Sequence, residues 1–105
     1  MAKIPVRIQK IIDKYLSALR ENNIPINKAI LFGSYAHGKH HQWSDIDIAL
    51  VSSIFEGDRF LDRKKIRKIN LSVSSDLEVL PFHPRDFTAE NPLVKEILDT
   101  GVTLI

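Results

Sequence analysis

The sequence lacks several features that would assign it to a class of protein on their own. It has no cysteine among 105 residues, which excludes a disulfide framework and a thiolate metal site and is typical of a reducing compartment. No stretch approaches transmembrane length, and the basic N-terminus lacks the apolar run of a signal peptide. The net charge is only +2, too small to indicate nucleic-acid binding by the chain as a whole. We therefore expect a cytoplasmic protein that is not membrane-bound, and any nucleic-acid binding would have to depend on a local cluster of basic residues.

The composition is that of an ordinary globular protein, with 44% hydrophobic and 27% charged residues. The length allows one hydrophobic core, and the chain has neither internal repeats nor linkers. We predict a single domain over residues 1–105.

Hydrophobic periodicity predicts alternating helices and strands. The predicted helices span residues 5–22, 58–71 and 92–98, and the predicted strands span residues 26–32, 45–52, 76–82 and 102–105. The second helix has an imperfect apolar stripe, in which either Leu61 or Asp62 takes the first core position. Residues 34–38 are expected to form one helical turn, and Asn91 is expected to cap the last helix. The pattern predicts an α/β (α+β) fold, a small mixed sheet of three to four strands with helices packed on one face.

The strand over residues 45–52 carries two aspartates on its polar side. Asp45 and Asp47 are two residues apart, so they share one face of the strand and repel each other when both are ionised. Mg²⁺ prefers carboxylate oxygens and would relieve this repulsion. A solvent-facing strand can carry the same short triplet by chance, so the two aspartates alone do not identify a metal site.

A third carboxylate is predicted on the strand over residues 76–82. Glu78 lies two residues after Asp76, so either or both could present a carboxylate beside the aspartate pair. Three carboxylates on one sheet face favour a two-metal phosphoryl-transfer site, in which the third ligates a metal or takes the acceptor's proton. The alternative is a surface glutamate on an amphipathic strand.

A small turn, Gly33-Ser34, ends the strand over residues 26–32. Glycine lets a backbone N–H approach an anion closely, and serine adds a hydroxyl. The turn is neither a Walker loop nor a GxGxxG motif, and alone it also fits an ordinary strand-to-helix connection.

The spacing of these parts is more specific than any one of them. Gly33-Ser34, ten residues and then Asp45-x-Asp47 resembles the signature of the nucleotidyltransferases of the DNA polymerase beta superfamily. The wider stretch GSYAHGKHHQWSDIDIALV is similar to the stand-alone minimal nucleotidyltransferases of that superfamily. Further along, DLEVLPFHPRDF resembles the strand with the family's third carboxylate, and PLVKEILDTGVTLI resembles its closing helix and tail. The resemblance covers essentially the whole chain.

The resemblance implies a role for each motif residue. Gly33 and Ser34 are expected at the triphosphate of a nucleoside triphosphate, and Asp45 and Asp47 on two Mg²⁺ ions. Glu78 is expected to be the third catalytic carboxylate and metal ligand. Its distance to the following aromatic residue fits the family better than that of Asp76, which remains the competing candidate.

The implied reaction is transfer of a nucleoside monophosphate, with AMP from ATP expected, to a hydroxyl. Because the chain offers no second domain for an acceptor, we expect the acceptor on a partner protein. The resemblance implies a HEPN-type partner and an antitoxin that adenylylates its toxin. Two alternatives stay open: a catalytically weak module that neutralises a partner by contact, and an RNA-binding adaptor that uses the basic side of residues 59–68. Base preference and oligomeric state also stay open.

Five residues near the motif are interpreted as structural rather than chemical. We expect His37, His40 and His41 in a solvated loop, because no regular ligand spacing accompanies them. Ser44 is expected to hydrogen-bond within that loop, and Trp43 to pack against the core rather than stack on a base.

Overall fold

The structure, a computed structural model, describes residues 4–41 and 44–105, so Trp43 lies outside the described residues. The helices are α1 (Val6–Glu21), α2 (Ser34–His37), α3 (Arg59–Val73) and α4 (Pro92–Thr100), and the strands are β1 (Lys28–Phe32), β2 (Ile46–Val51), β3 (Leu77–Phe82) and β4 (Val102–Thr103). Each element lies within a few residues of its predicted range. In the part of the chain that is described, no helix combines the length and apolarity needed to cross a membrane.

The four strands form one mixed sheet in the order β3-β2-β1-β4. Strand β1 runs antiparallel to β2 and β4, whereas β2 and β3 are parallel. Parallel strands need a crossover connection, which α3 provides between β2 and β3. This sheet confirms the predicted fold class.

Helices α1 and α3 cover one face of the sheet. The apolar stripe of α1 is buried against it, as the periodicity predicts, and α3 adds Ile66. Every second strand residue points to this side. The buried residues that α1, α3 and the strands contribute include Ile8, Ile12, Tyr15, Leu16, Leu19, Ala29, Leu31, Ile46, Ile48, Leu50, Ile66 and Val79.

Helix α4 covers the opposite face. Its Val94 and Ile97 pack on the strand residues that point away from α1, which are Ile30, Ala49, Val51 and Phe82. The Asn91 side chain caps the helix by accepting a hydrogen bond from the Leu93 N–H at 2.9 Å, as predicted. The prediction that the helices pack on one face is therefore correct for α1 and α3 but wrong for α4. The strands also carry apolar residues on their other side, and α4 buries these.

Helix α4 covers only one end of that second face. Towards the C-terminal end of β2, Ala49 and Val51 are buried, whereas Asp47 near its start is partly exposed and Asp45 is exposed. The second face is thus apolar and covered at one end, and acidic and open at the other.

Candidate active site

The strand register brings two of the predicted carboxylates together. Asp47 in β2 pairs with Glu78 in β3 on one side and with Phe32 in β1 on the other. Asp45 directly precedes β2. Because side chains alternate along a strand, all three carboxylates lie on the face that α4 leaves open.

Asp76 lies in the turn before β3 and takes a different part. Its backbone carbonyl accepts a hydrogen bond from the Ile46 N–H at 2.8 Å, which extends the parallel pairing by one step. Since Glu78 rather than Asp76 is the register partner of Asp47, the geometry favours Glu78 as the third carboxylate.

The environment of Asp47, including the two neighbouring carboxylates, acts on its carboxyl group electrostatically. Burial, then the charge of Asp45, then the charge of Glu78 raise the pKa of Asp47 from 3.8 to about 6. A positive charge beside Asp47 would favour its ionised form and offset these effects.

Gly33 is in direct contact with this carboxylate. A Cβ atom at position 33 would lie 2.2 Å from Oδ2 of Asp47, and the backbone there has φ = +72°, which L side chains rarely adopt. Glycine is therefore required both by the backbone and by the closeness of Asp47. The contact places the Gly33-Ser34 turn against the aspartate pair.

Ser34 begins the short helix α2 just after this turn. The Gly33 carbonyl accepts hydrogen bonds from the N–H groups of Ala36 and His37, both at 3.1 Å. The helix ends at Gly38, which has left-handed backbone geometry. The predicted single helical turn is confirmed.

The histidines that follow the turn do not join the carboxylates. His40 stacks on the buried Tyr35 with ring centroids 4.6 Å apart, which gives it a packing role. The Ser44 hydroxyl accepts a hydrogen bond from the His41 N–H at 2.9 Å, so the predicted bond within the loop is confirmed. Among the residues described, no group of three or more His, Asp or Glu side chains is arranged to hold a metal ion.

The aspartate pair nevertheless fits a hard divalent cation. Its donors are carboxylate oxygens, which Mg²⁺ prefers, and a bound cation would offset the burial and the neighbouring charges that raise the pKa of Asp47. The Glu78 side chain forms an ion pair with Arg63, with its Oε1 3.4 Å from Nη2 of Arg63. Both side chains of this ion pair are about half exposed, so the contact is weak enough to exchange.

Arg63 is a neighbour of the site that sequence reasoning missed. The sequence alone assigns it to the solvated basic side of its helix. Only the crossover path of α3, from the end of β2 back to the start of β3, brings it beside Glu78. No local sequence signal reports that proximity.

A small cleft adjoins the Gly33-Ser34 turn. It has a volume of about 180 Å³ and lies between α2 and α4, where Phe32, Gly33, His37, Glu96 and Thr100 are among its lining residues. A larger cleft of about 410 Å³ lies at the C-terminal end of α1, away from the carboxylates. We assign the larger cleft no part in the site.

A mixed sheet with an aspartate pair beside a Gly-Ser turn is the arrangement that the sequence resemblance predicts for a nucleotidyltransferase. The sequence profile of the nucleotidyltransferase domain family matches residues 12–100. The chain belongs to this family. Curated protein sequences include no significant match to it.

Solved structures with the same fold include toxin–antitoxin proteins. A toxin–antitoxin crystallised with AMP-PNP is 29% identical, with a TM-score of 0.64 over 89% of this chain and 71% of that chain. A mutant of the toxin–antitoxin MntA-HepT is 25% identical, with a TM-score of 0.63 and the same coverage of both chains. A Sulfolobus solfataricus protein assigned as a nucleotidyltransferase is 20% identical, with a TM-score of 0.69 over 93% of this chain and 79% of that chain, and is similar in fold.

Proposed function

We propose that this protein is a Mg²⁺-dependent nucleotidyltransferase that moves AMP from ATP to a hydroxyl on a partner protein, as the antitoxin of a toxin–antitoxin pair. The observation that carries the proposal is the pairing of Asp47 with Glu78, beside Asp45 and against the Gly33-Ser34 turn. Membership of the nucleotidyltransferase domain family supports the reaction class. The similar structure with AMP-PNP supports an adenine nucleotide as substrate.

Each residue has a chemical role in this proposal. Gly33 and Ser34 would border the triphosphate, while Asp45 and Asp47 would hold the cations. Two bound Mg²⁺ ions would neutralise the triphosphate and stabilise the charge that develops on the leaving pyrophosphate. Glu78 completes the cation site or takes the acceptor's proton.

The transfer itself is a single displacement at phosphorus. The acceptor oxygen bonds to the α-phosphorus as the bond from that phosphorus to the bridging oxygen breaks, and pyrophosphate leaves. The acceptor's proton passes to Glu78 or to water. The protein's contribution is to hold nucleotide and acceptor in line.

The proposed acceptor is a HEPN-type toxin. The similar MntA-HepT structures are described as a toxin–antitoxin, which supports a toxin as partner. We place the reaction in the cytoplasm, in keeping with a cysteine-free sequence.

The test is label transfer from α-³²P-ATP to the purified protein encoded beside this chain, in the presence of Mg²⁺. We expect Asp45→Asn and Asp47→Asn each to lower the rate at least about 1,000-fold, equivalent to about 4 kcal/mol of transition-state stabilisation. Asp13→Asn, on the exposed side of α1, removes the same charge away from the site and should keep the wild-type rate. A toxin that is neutralised equally well by Asp45→Asn and Asp47→Asn would contradict catalysis and leave neutralisation by contact.

The third carboxylate has its own test in the same assay. Glu78→Gln should lower the rate strongly, whereas Asp76→Asn should change it little because its side chain lies outside the paired strand. The reverse result would assign the role to Asp76.

A further inference from the structure

An exposed groove runs between α3 and the edge strand β3. It has a volume of about 380 Å³, and we call it the α3–β3 groove. The lining residues that matter for its chemistry are Phe60, Arg63, Lys64, Arg67, Leu71 and Glu78.

The groove presents large apolar side chains to solvent. Phe60 is 70% exposed and Leu71 is 61% exposed, although both belong to a helix whose core position Ile66 is fully buried. The Lys64 ammonium lies 5.1 Å from the centre of the Phe60 ring and so partly covers it with a cation. Exposed apolar side chains grouped with polar ones are typical of a surface that binds another protein.

The charge of the groove is unbalanced. Arg63, Lys64 and Arg67 contribute three cations, and among the described lining residues Glu78 is the one acid. Glu78 is in contact with Arg63, which leaves the charges of Lys64 and Arg67 without an acidic counterpart in the groove. A partner that carries carboxylates among apolar side chains would complement both properties.

The groove is continuous with the candidate active site through Glu78, which belongs to both. If Glu78 takes the acceptor's proton, the hydroxyl must come within hydrogen-bond distance of its carboxylate. The polypeptide that carries this hydroxyl would then lie along the groove. This step rests on the proposed function.

We propose that the α3–β3 groove is the docking surface for the acceptor protein, and that it binds a segment of mixed acidic and apolar side chains next to the acceptor hydroxyl. Phe60 and Leu71 supply the apolar contact, and Lys64 and Arg67 pair with carboxylates of the segment. The register of β3 then holds the acceptor beside the aspartate pair.

The test measures affinity for the purified protein encoded beside this chain, by calorimetry in about 0.1 M salt, where ion pairs are only partly screened. The double substitution Lys64→Glu and Arg67→Glu should raise Kd at least tenfold, with a steep salt dependence in the wild type. The matched control is Arg7→Glu with Lys10→Glu on α1, which also reverses one arginine and one lysine three residues apart on an exposed helix side. The control should change Kd less than twofold.

A second pair of variants tests the apolar contact. Phe60→Ser should also weaken binding tenfold or more, whereas Val6→Ser on α1, which starts from the same 70% exposure, should not. Circular dichroism melts check that every variant is folded. Equal effects of groove and control substitutions, or no effect of either, would overturn the proposal.

Two further measurements distinguish docking of a protein from RNA binding and from catalysis. The first is binding of a labelled 20-nucleotide RNA. If RNA binding depends on Lys64 and Arg67 and partner binding does not, the groove is an RNA site and the proposal is overturned. The variant with both Asp45→Asn and Asp47→Asn should bind the partner with wild-type Kd but transfer no label. If the wild type binds the partner through the groove but transfers no label, the proposed reaction is refuted and the docking proposal stands. If the wild type transfers label but its partner binding does not depend on the groove, the docking proposal is refuted and the proposed reaction stands.

Discussion

The two faces of the sheet are covered very differently. Among the residues that the structure describes, the face under α1 and α3 belongs to a cluster of fourteen buried hydrophobic residues, and the face under α4 to a cluster of six. The smaller cluster stops where the carboxylates begin. The first face therefore buries more apolar surface, whereas part of the second face is uncovered and leaves its charged groups exposed to water.

Physical chemistry requires this asymmetry. A helix laid over Asp45 and Asp47 would remove their water, and a buried carboxylate without a partner is costly. Asp47 lies at the boundary and already shows the effect, because burial is the main cause of its raised pKa. The open end of the second face is therefore a condition for an acidic site.

The largest expected effect is the difference in stability lost when a buried isoleucine is replaced by alanine on each of the two faces. Ile12→Ala in α1 should cost about 4 kcal/mol and Ile97→Ala in α4 about 2 kcal/mol, the upper and lower parts of the usual range for such changes. Both side chains are fully buried, but Ile97 borders the small cleft beside Gly33, where neighbours have room to relax. Urea unfolding measures both values. A larger loss of unfolding free energy for Ile97→Ala would contradict the inference that the face under α1 contributes more to stability.

Two of the three glycines with positive φ offer the next comparison. Gly33→Ala and Gly57→Ala both place a side chain at positive φ, so each should lower the free energy of unfolding by about 1–3 kcal/mol. Only Gly33→Ala should also abolish metal binding, because its Cβ would displace the Asp47 carboxylate. Mn²⁺ binding followed by electron paramagnetic resonance distinguishes them. Wild-type Mn²⁺ affinity in Gly33→Ala would show that the contact has no part in the site.

The smallest effect concerns the protonation of Asp47. Because its pKa is raised to about 6, the folded protein binds this proton more tightly than the unfolded chain, and stability is lost as the pH rises from about 4 to about 6. Asp47→Asn should remove this loss and be more stable than the wild type by about 1 kcal/mol at pH 7.5 without metal, once solvent screening is allowed for.

The measurement is the difference in unfolding free energy between wild type and Asp47→Asn across that pH range. Millimolar Mg²⁺ should reduce the difference, since a bound cation favours the ionised carboxylate. A difference that does not vary with pH would show that Asp47 titrates at its ordinary value.

Much of the fold could be predicted from sequence because its signals are local. The periodicity of α1, the alternation in β2 and the Asn91 cap each depend on residues only a few positions apart. Apolarity alone could not choose between Leu61 and Asp62 in α3. The structure buries Asp62, whose carboxylate accepts hydrogen bonds from the N–H groups of Glu56 and Gly57 at 2.9 and 3.0 Å, while Leu61 is 44% exposed.

The candidate site likewise contains residues that local sequence signals reveal and residues that only the fold brings together. The spacing of Gly33, Ser34, Asp45 and Asp47 lies within fifteen residues of sequence, so a resemblance could reveal it. The pairing of Glu78 with Asp47 depends on strand register, and the contact of Arg63 with Glu78 depends on the path of α3. Neither the register nor that path is encoded in a short stretch of chain.

The crossover between β2 and β3 has a consequence for the order of folding. The pairing of β1 with β2 closes a short loop, whereas β3 can join β2 only after residues 52–76 have folded back across the sheet. Pairings that close long stretches of chain form slowly, because their entropy is lost before any contact is gained. We expect the aspartate pair to reach its strand early and Glu78 to arrive late. On this expectation Glu78 would be the last residue of the candidate site to reach its position and the first to leave it when the edge of the sheet opens.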